Sequence, residues 1–230
     1  MCIRDRNSEG PSGLLRVTRS ALGAAIWMLL PVAVIGAALA TNPVGLVLGI
    51  SPASPVGVLL FSGLSLLLFS LPIQGATSVA TRLCYGAGDT RGPVGSSVVG
   101  SLLIALSAAP FVATFGFAGL AAAVLFGEGV ECLLLLLRLR SHVGGHLLRE
   151  LMRMLVMALA TAASGLTLAL ALSAAVSALV ASESLALRAL IDASAAAAGL
   201  LLYLMLSARL KAPGSDAPIA ALRRAWRRLR

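Results

Sequence analysis

Six long apolar runs fix what this chain can become: Ala21–Thr41, Val56–Thr81, Val94–Ala109, Phe117–Leu137, Met154–Ala181 and Leu185–Leu206. Each is long enough, or nearly so, to cross about 30 Å of hydrocarbon at about 20 residues per helix. Lipid offers no partner to a backbone amide, so runs of this kind must be helices that satisfy themselves. Composition agrees. The chain is 59% hydrophobic and 12% charged, with a mean hydropathy of +0.97. A soluble domain has roughly 45–50% apolar and about 25% charged residues. The expected fold is an all-α polytopic membrane protein with six transmembrane helices. Pro31 and Pro72 lie inside runs, where proline removes a helix hydrogen bond and usually kinks the helix. Pro110 is read as the end of the third run. Asn42–Pro55 is read as a loop, with Pro43, Pro52 and Pro55 in it. Only Phe111–Gly116 separates the third run from the fourth, which predicts an antiparallel hairpin.

Charge then orients the spans. The net charge is +9, and on a soluble chain that would suggest nucleic acid. Here every Lys and Arg of the 18 except Arg188 falls in residues 1–20, 82–92, 138–153 or 209–230. If six spans alternate, those four segments share one side. Short loops rich in Lys and Arg stay in the cytoplasm. The expectation is a bacterial cytoplasmic-membrane protein with both termini inside and with 42–55, 110–116 and 182–184 outside. The domains read as a cytoplasmic N-terminal segment (1–20), a six-span domain (21–209) and a basic cytoplasmic tail (210–230). A tail such as Arg223-Arg224-Ala225-Trp226-Arg227-Arg228 attracts anionic headgroups at about 1 kcal/mol per charge. Membrane lipid, rather than nucleic acid, is the expected partner. The first 20 residues contain no apolar stretch of the signal-peptide kind. Met1–Arg6 reads as foreign to the rest and is set aside; the natural N-terminus is expected upstream. Cys2, Cys84 and Cys132 are far apart and form no C-x-x-C pair, so neither a disulfide framework nor a metal site is expected. No cofactor is expected.

Between the second and third runs lies a short polar island, Arg82–Val94, reading R-L-C-Y-G-A-G-D-T-R-G-P-V. Gly and Asp favour turns, and the residue before a proline avoids helix. Proline is well tolerated in the first turn of a new helix. The island therefore predicts a tight loop at the membrane surface. Its glycines do not make G-x-G-x-x-G, and no strand precedes it, so it is not a dinucleotide fingerprint.

The wording R-x-x-Y-x-A-G-D-T-R-x-P resembles the short cytoplasmic loop of the MurJ/MviN lipid II flippases. It fits the MATE drug exporters of the same superfamily about as well. The number of spans after the loop separates the two: a MATE-type loop would precede two spans, the flippase loop four, and four are present here. Gly119–Ala123 is similar to the family's G-L-A-L-A stretch, and Leu133–Arg140 to its leucine-rich exit. Leu148–Met157 resembles the start of its penultimate span. The resemblance covers about Arg16–Arg230 and implies the last six of fourteen spans. It implies a transporter and not an enzyme, moving lipid II or a related polyprenyl-diphosphate-linked substrate by alternating access. It implies partner spans upstream, which carry most of the headgroup-binding arginines, and an apolar groove for the lipid tail at Met154–Ala181 and Leu185–Leu206. The third run has no Asn or Asp, and Val124 stands where a Thr is expected, so sodium coupling is not implied. The alternatives are a polysaccharide-unit or MATE-type drug exporter, and a membrane fragment without transport.

Several polar residues compete for a role. Glu128 and Glu131 stand three apart inside the fourth run, on one helix face. Intramembrane carboxylates are costly and usually face a cavity or a partner. They are candidates for cavity lining or a proton or cation relay, against snorkelling near the cytoplasmic end. Arg82, Asp89 and Arg91 are candidates for a gate latch or a diphosphate contact, since guanidinium binds phosphate in a bidentate way. The plainer and favoured reading makes the arginines topology determinants and Asp89 a turn former. His142 and His146 could share a helix face, but no further ligands accompany them. Arg188 and Asp192, four apart, read as a helix-end ion pair.

Overall fold

The computed structural model describes residues 3–143, 147–180 and 184–210. His146, residues 181–183, the tail 211–230 and the His142 side chain lie outside the described residues. Eight helices are described, in order: α1 (Ile3–Leu39), α2 (Thr41–Leu48), α3 (Pro55–Leu68), α4 (Ser70–Gly86), α5 (Arg91–Phe115), α6 (Ala118–Val143), α7 (Leu147–Val180) and α8 (Leu185–Arg209). No strand occurs among the described residues. Six stretches are long and apolar enough to span a membrane, with α3 and α4 together making one of them, Pro55–Gly86. The chain is an all-α polytopic membrane protein.

Proline placement explains most departures from the expected boundaries. Pro72 has no N–H to offer the Leu68 carbonyl, and the helix breaks there: Phe69 separates α3 from α4, with its N–H bonded three residues back to the Leu66 carbonyl at 3.1 Å. At Pro31 the outcome differs, because α1 runs through it unbroken. The carbonyl that Pro31 strands is that of Trp27, and the Tyr203 hydroxyl of α8 donates to it at 2.7 Å. A neighbouring helix thus re-satisfies the freed group, as membrane helices require. Pro110 does not end the third span; α5 continues to Phe115. The turn of 110–116 shrinks to Gly116–Phe117, where Gly116 takes a φ of 63°. The loop 42–55 is also partly helical, since α2 fills Thr41–Leu48. Pro43 falls in the first turn of α2, where proline fits. The basic connector 138–153 is largely helical too, as the end of α6 and the start of α7.

Packing is uneven. α1 stands at the centre, against α7, α4, α3 and α8. In its most apolar stretch 44% is buried, against 6% for α5, which packs mainly on α6. One core cluster joins α1, α4, α6 and α7 through Leu22, Ala80, Cys84, Leu135, Leu139 and Met154. A second joins α1, α7 and α8 through Trp27, Ala162 and Tyr203. Its rings pair at 5.7 Å between Trp27 and Tyr203. α7 and α8 cross backbone to backbone: a Cβ on Gly165 would meet the Gly199 carbonyl oxygen at 2.7 Å. Small residues at such crossings let membrane helices approach.

Candidate functional site

The polar island resolves into a short joint. Only Ala87–Thr90 lies between α4 and α5. The Asp89 carboxylate accepts from the Gly92 N–H at 2.8 Å, so it satisfies one of the first amides of α5. Its other oxygen lies 3.6 Å from Arg138 Nη1 near the end of α6. A Cβ on Gly92 would collide with that carboxylate and come within 2.9 Å of Arg138 Cδ. A side chain at Gly92 would force the Asp89 carboxylate and the arginine stem to shift. Asp89 therefore ties the start of α5 to the end of α6, a turn-forming role with a cross-helix pair added. Arg82 and Arg91 are both exposed. Arg82 stands about 12 Å beyond Gln74 along α4, at 1.5 Å per residue, and belongs to the helix end.

Glu128 lies in the span Ala118–Ser141, about 15 Å from its start. Its Oε1 accepts from Gln74 Nε2 of α4 at 2.9 Å. Gln74 also donates to the Ser70 hydroxyl at 3.0 Å, just after the break at Phe69. Glu128 Oε2 is buried without a hydrogen-bond partner among the described residues, and so is Thr77 Oγ1 one turn along α4. Glu131 turns toward α5, where a Cβ on Gly100 would lie 3.1 Å from its Oε2. The two glutamates thus face different neighbours, Glu128 the α4 seam and Glu131 the α5 seam. The apolar hollow on α6, lined by residues including Ala122, Phe126 and Leu133, contains neither.

A third polar joint was not legible as such. Asp192 is only 7% exposed. Its carboxylate accepts from Asn42 Nδ2 of α2 at 2.7 Å and from Ser173 Oγ of α7 at 2.6 Å. It is a buried tie between three helices, which corrects the reading as a helix-end ion pair with Arg188. The available signal was a carboxylate inside an apolar run; its partners, 150 and 19 residues away, left none.

No group of three or more His, Cys, Asp or Glu side chains able to hold a metal occurs among the described residues. Of the island's candidates, Asp89 is the one that joins two helices, and the structure does not bring it to Glu128. Comparison with family models, with curated proteins and with solved structures finds no match.

Proposed function

We propose that this chain is the C-terminal part of a lipid II flippase of the MurJ/MviN type. It would move a polyprenyl-diphosphate-linked precursor across the bacterial cytoplasmic membrane, together with spans upstream. The observation that carries the reading is the G-A-G-D-T-R-x-P island with four spans after it. Flipping makes and breaks no bond, so the residues that matter are those that bind, seal and couple. Glu128 is the residue we assign to coupling or cavity contact, on the α4–α6 seam with Gln74 and Ser70. Arg82 and Arg91 supply positive charge at the inner surface, and Asp89 holds the hairpin they flank. The second reading is a drug exporter of the same superfamily, favoured by an acidic rather than basic mid-span group.

Two experiments bear on this. Grafted behind a matching first half, the chain should restore lipid II export in cells depleted of their own flippase. Normal insertion without rescue would favour the exporter reading. For orientation, Ser54→Cys should react with an impermeant thiol reagent from outside, and Ser141→Cys should not. The opposite pattern would reverse the proposed topology.

A further inference from the structure

At the basic end of the α5–α6 hairpin lies an open groove of about 600 Å³. That is within the usual ligand range of about 300–1,000 Å³. One end is polar, with Arg138, Ser141 and Asp89; the wall running into the membrane is apolar, with Val99 and Leu134. Ser96 lies between, its hydroxyl committed to the Gly92 carbonyl at 2.9 Å. The Arg138 side chain is 56% exposed, whereas Asp89 is 15% exposed. Their 3.6 Å separation exceeds the about 2.7–2.9 Å of a charge-assisted hydrogen bond. The pair orients the guanidinium at the mouth of the groove, and a guanidinium has donors enough for several partners at once.

We propose that this groove binds an anionic phospholipid. Its phosphate would be held by the Arg138 guanidinium, the Ser141 hydroxyl being committed to the Arg138 carbonyl at 2.6 Å, and one acyl chain would lie against Val99 and Leu134. The argument is charge complementarity joined to depth. The groove opens on the side that carries nearly all the positive charge, and its wall continues into hydrocarbon, where a soluble anion gains nothing. Basic hollows between membrane helices hold anionic headgroups for this reason. The lipid would serve as cement for α5, whose apolar stretch is only 6% buried by protein. The proposal does not depend on what the protein transports.

The test uses the purified 230-residue chain in detergent, with lipid binding read by native mass spectrometry. The probes are phosphatidylglycerol and phosphatidylcholine. The chain should prefer phosphatidylglycerol, with Arg138 supplying about a five-fold share of that preference, the factor for one basic residue at an anionic surface. Arg138→Gln should lower the preference by about that five-fold factor, while the exposed Arg209→Gln should lower it less. Leu134→Trp, which fills the apolar wall and leaves the arginine, should weaken binding of both lipids. Three results overturn the proposal: an unchanged preference in Arg138→Gln, an equal loss in Arg209→Gln, or inorganic phosphate displacing the lipid at matched concentration. If Arg138→Gln loses its helicity or its monodispersity, Leu134→Trp decides alone, and full lipid binding by that variant also overturns it.

Discussion

Asp192 and Glu128 are both carboxylates inside apolar helices, and the protein treats them differently. Both oxygens of Asp192 are taken, one by α2 and one by α7. Glu128 has one oxygen bonded to Gln74 and the other buried without a partner among the described residues. A buried polar group is inexpensive when its bonds are made and costly when they are not. Asp192 therefore reads as a strut that fixes the adjoining ends of α7 and α8 to α2. Glu128 retains an unmet demand at mid-span, which a fixed strut would not carry. Such unmet demand in a membrane marks a functional candidate. The surrounding packing shows the same division. Asp192 belongs to the α7–α8 pair, closed at Gly165 and Gly199. Glu128 lies on the α4–α6 seam, bonded through Gln74 to Ser70 just after the break at Phe69.

The largest effect expected is at the strut. Asp192→Ala removes two acceptor oxygens and strands two donors, at about 1–3 kcal/mol for an unmet buried group. Unfolding of the purified protein in mixed micelles should show the loss, and Asp192→Asn should lose less. A stability equal to wild type would mean that the Asn42 and Ser173 bonds contribute nothing.

A smaller effect is expected where Tyr203 supports α1. Tyr203→Phe leaves the Trp27 carbonyl without its donor, at about 1 kcal/mol. Pro31→Ala gives that carbonyl an ordinary helical partner. In the Pro31→Ala background, Tyr203→Phe should therefore cost close to nothing. Equal costs in both backgrounds would show that the hydroxyl does not answer the proline, which is the comparison a double-mutant cycle isolates.

The spans were legible because an apolar run of sufficient length has one structural outcome in lipid. The effects of the interior prolines were not, because proline removes a bond and the neighbouring helices decide whether the helix survives. Pro72 accompanies a break at Phe69. At Pro31 the helix continues, and the freed Trp27 carbonyl is met by a tyrosine 176 residues further along the chain. The α2 helix had a local signal, a proline in its first turn and Gly49 with a φ of 67° at its end, hidden among loop-forming residues. For the site, the carboxylates were visible as rare charges in apolar sequence. Spacing put Glu128 and Glu131 on one face, yet helix packing sends them to different partners. Spacing also paired Asp192 with Arg188 by helix period, and tertiary contact from α2 and α7 took its place.

Glu128→Gln completes the contrast, with no loss of stability expected. It keeps the shape and removes a charge that costs roughly 2.5–3.5 kcal/mol at mid-membrane on lenient insertion scales. Insertion and expression of the grafted protein should be unchanged or improved. Lipid II export by that graft, measured beside expression, is the most direct test of the α4–α6 seam as the working part of the protein. The account predicts that export falls in Glu128→Gln while the protein remains at wild-type level in the membrane. Export at the wild-type rate would contradict it.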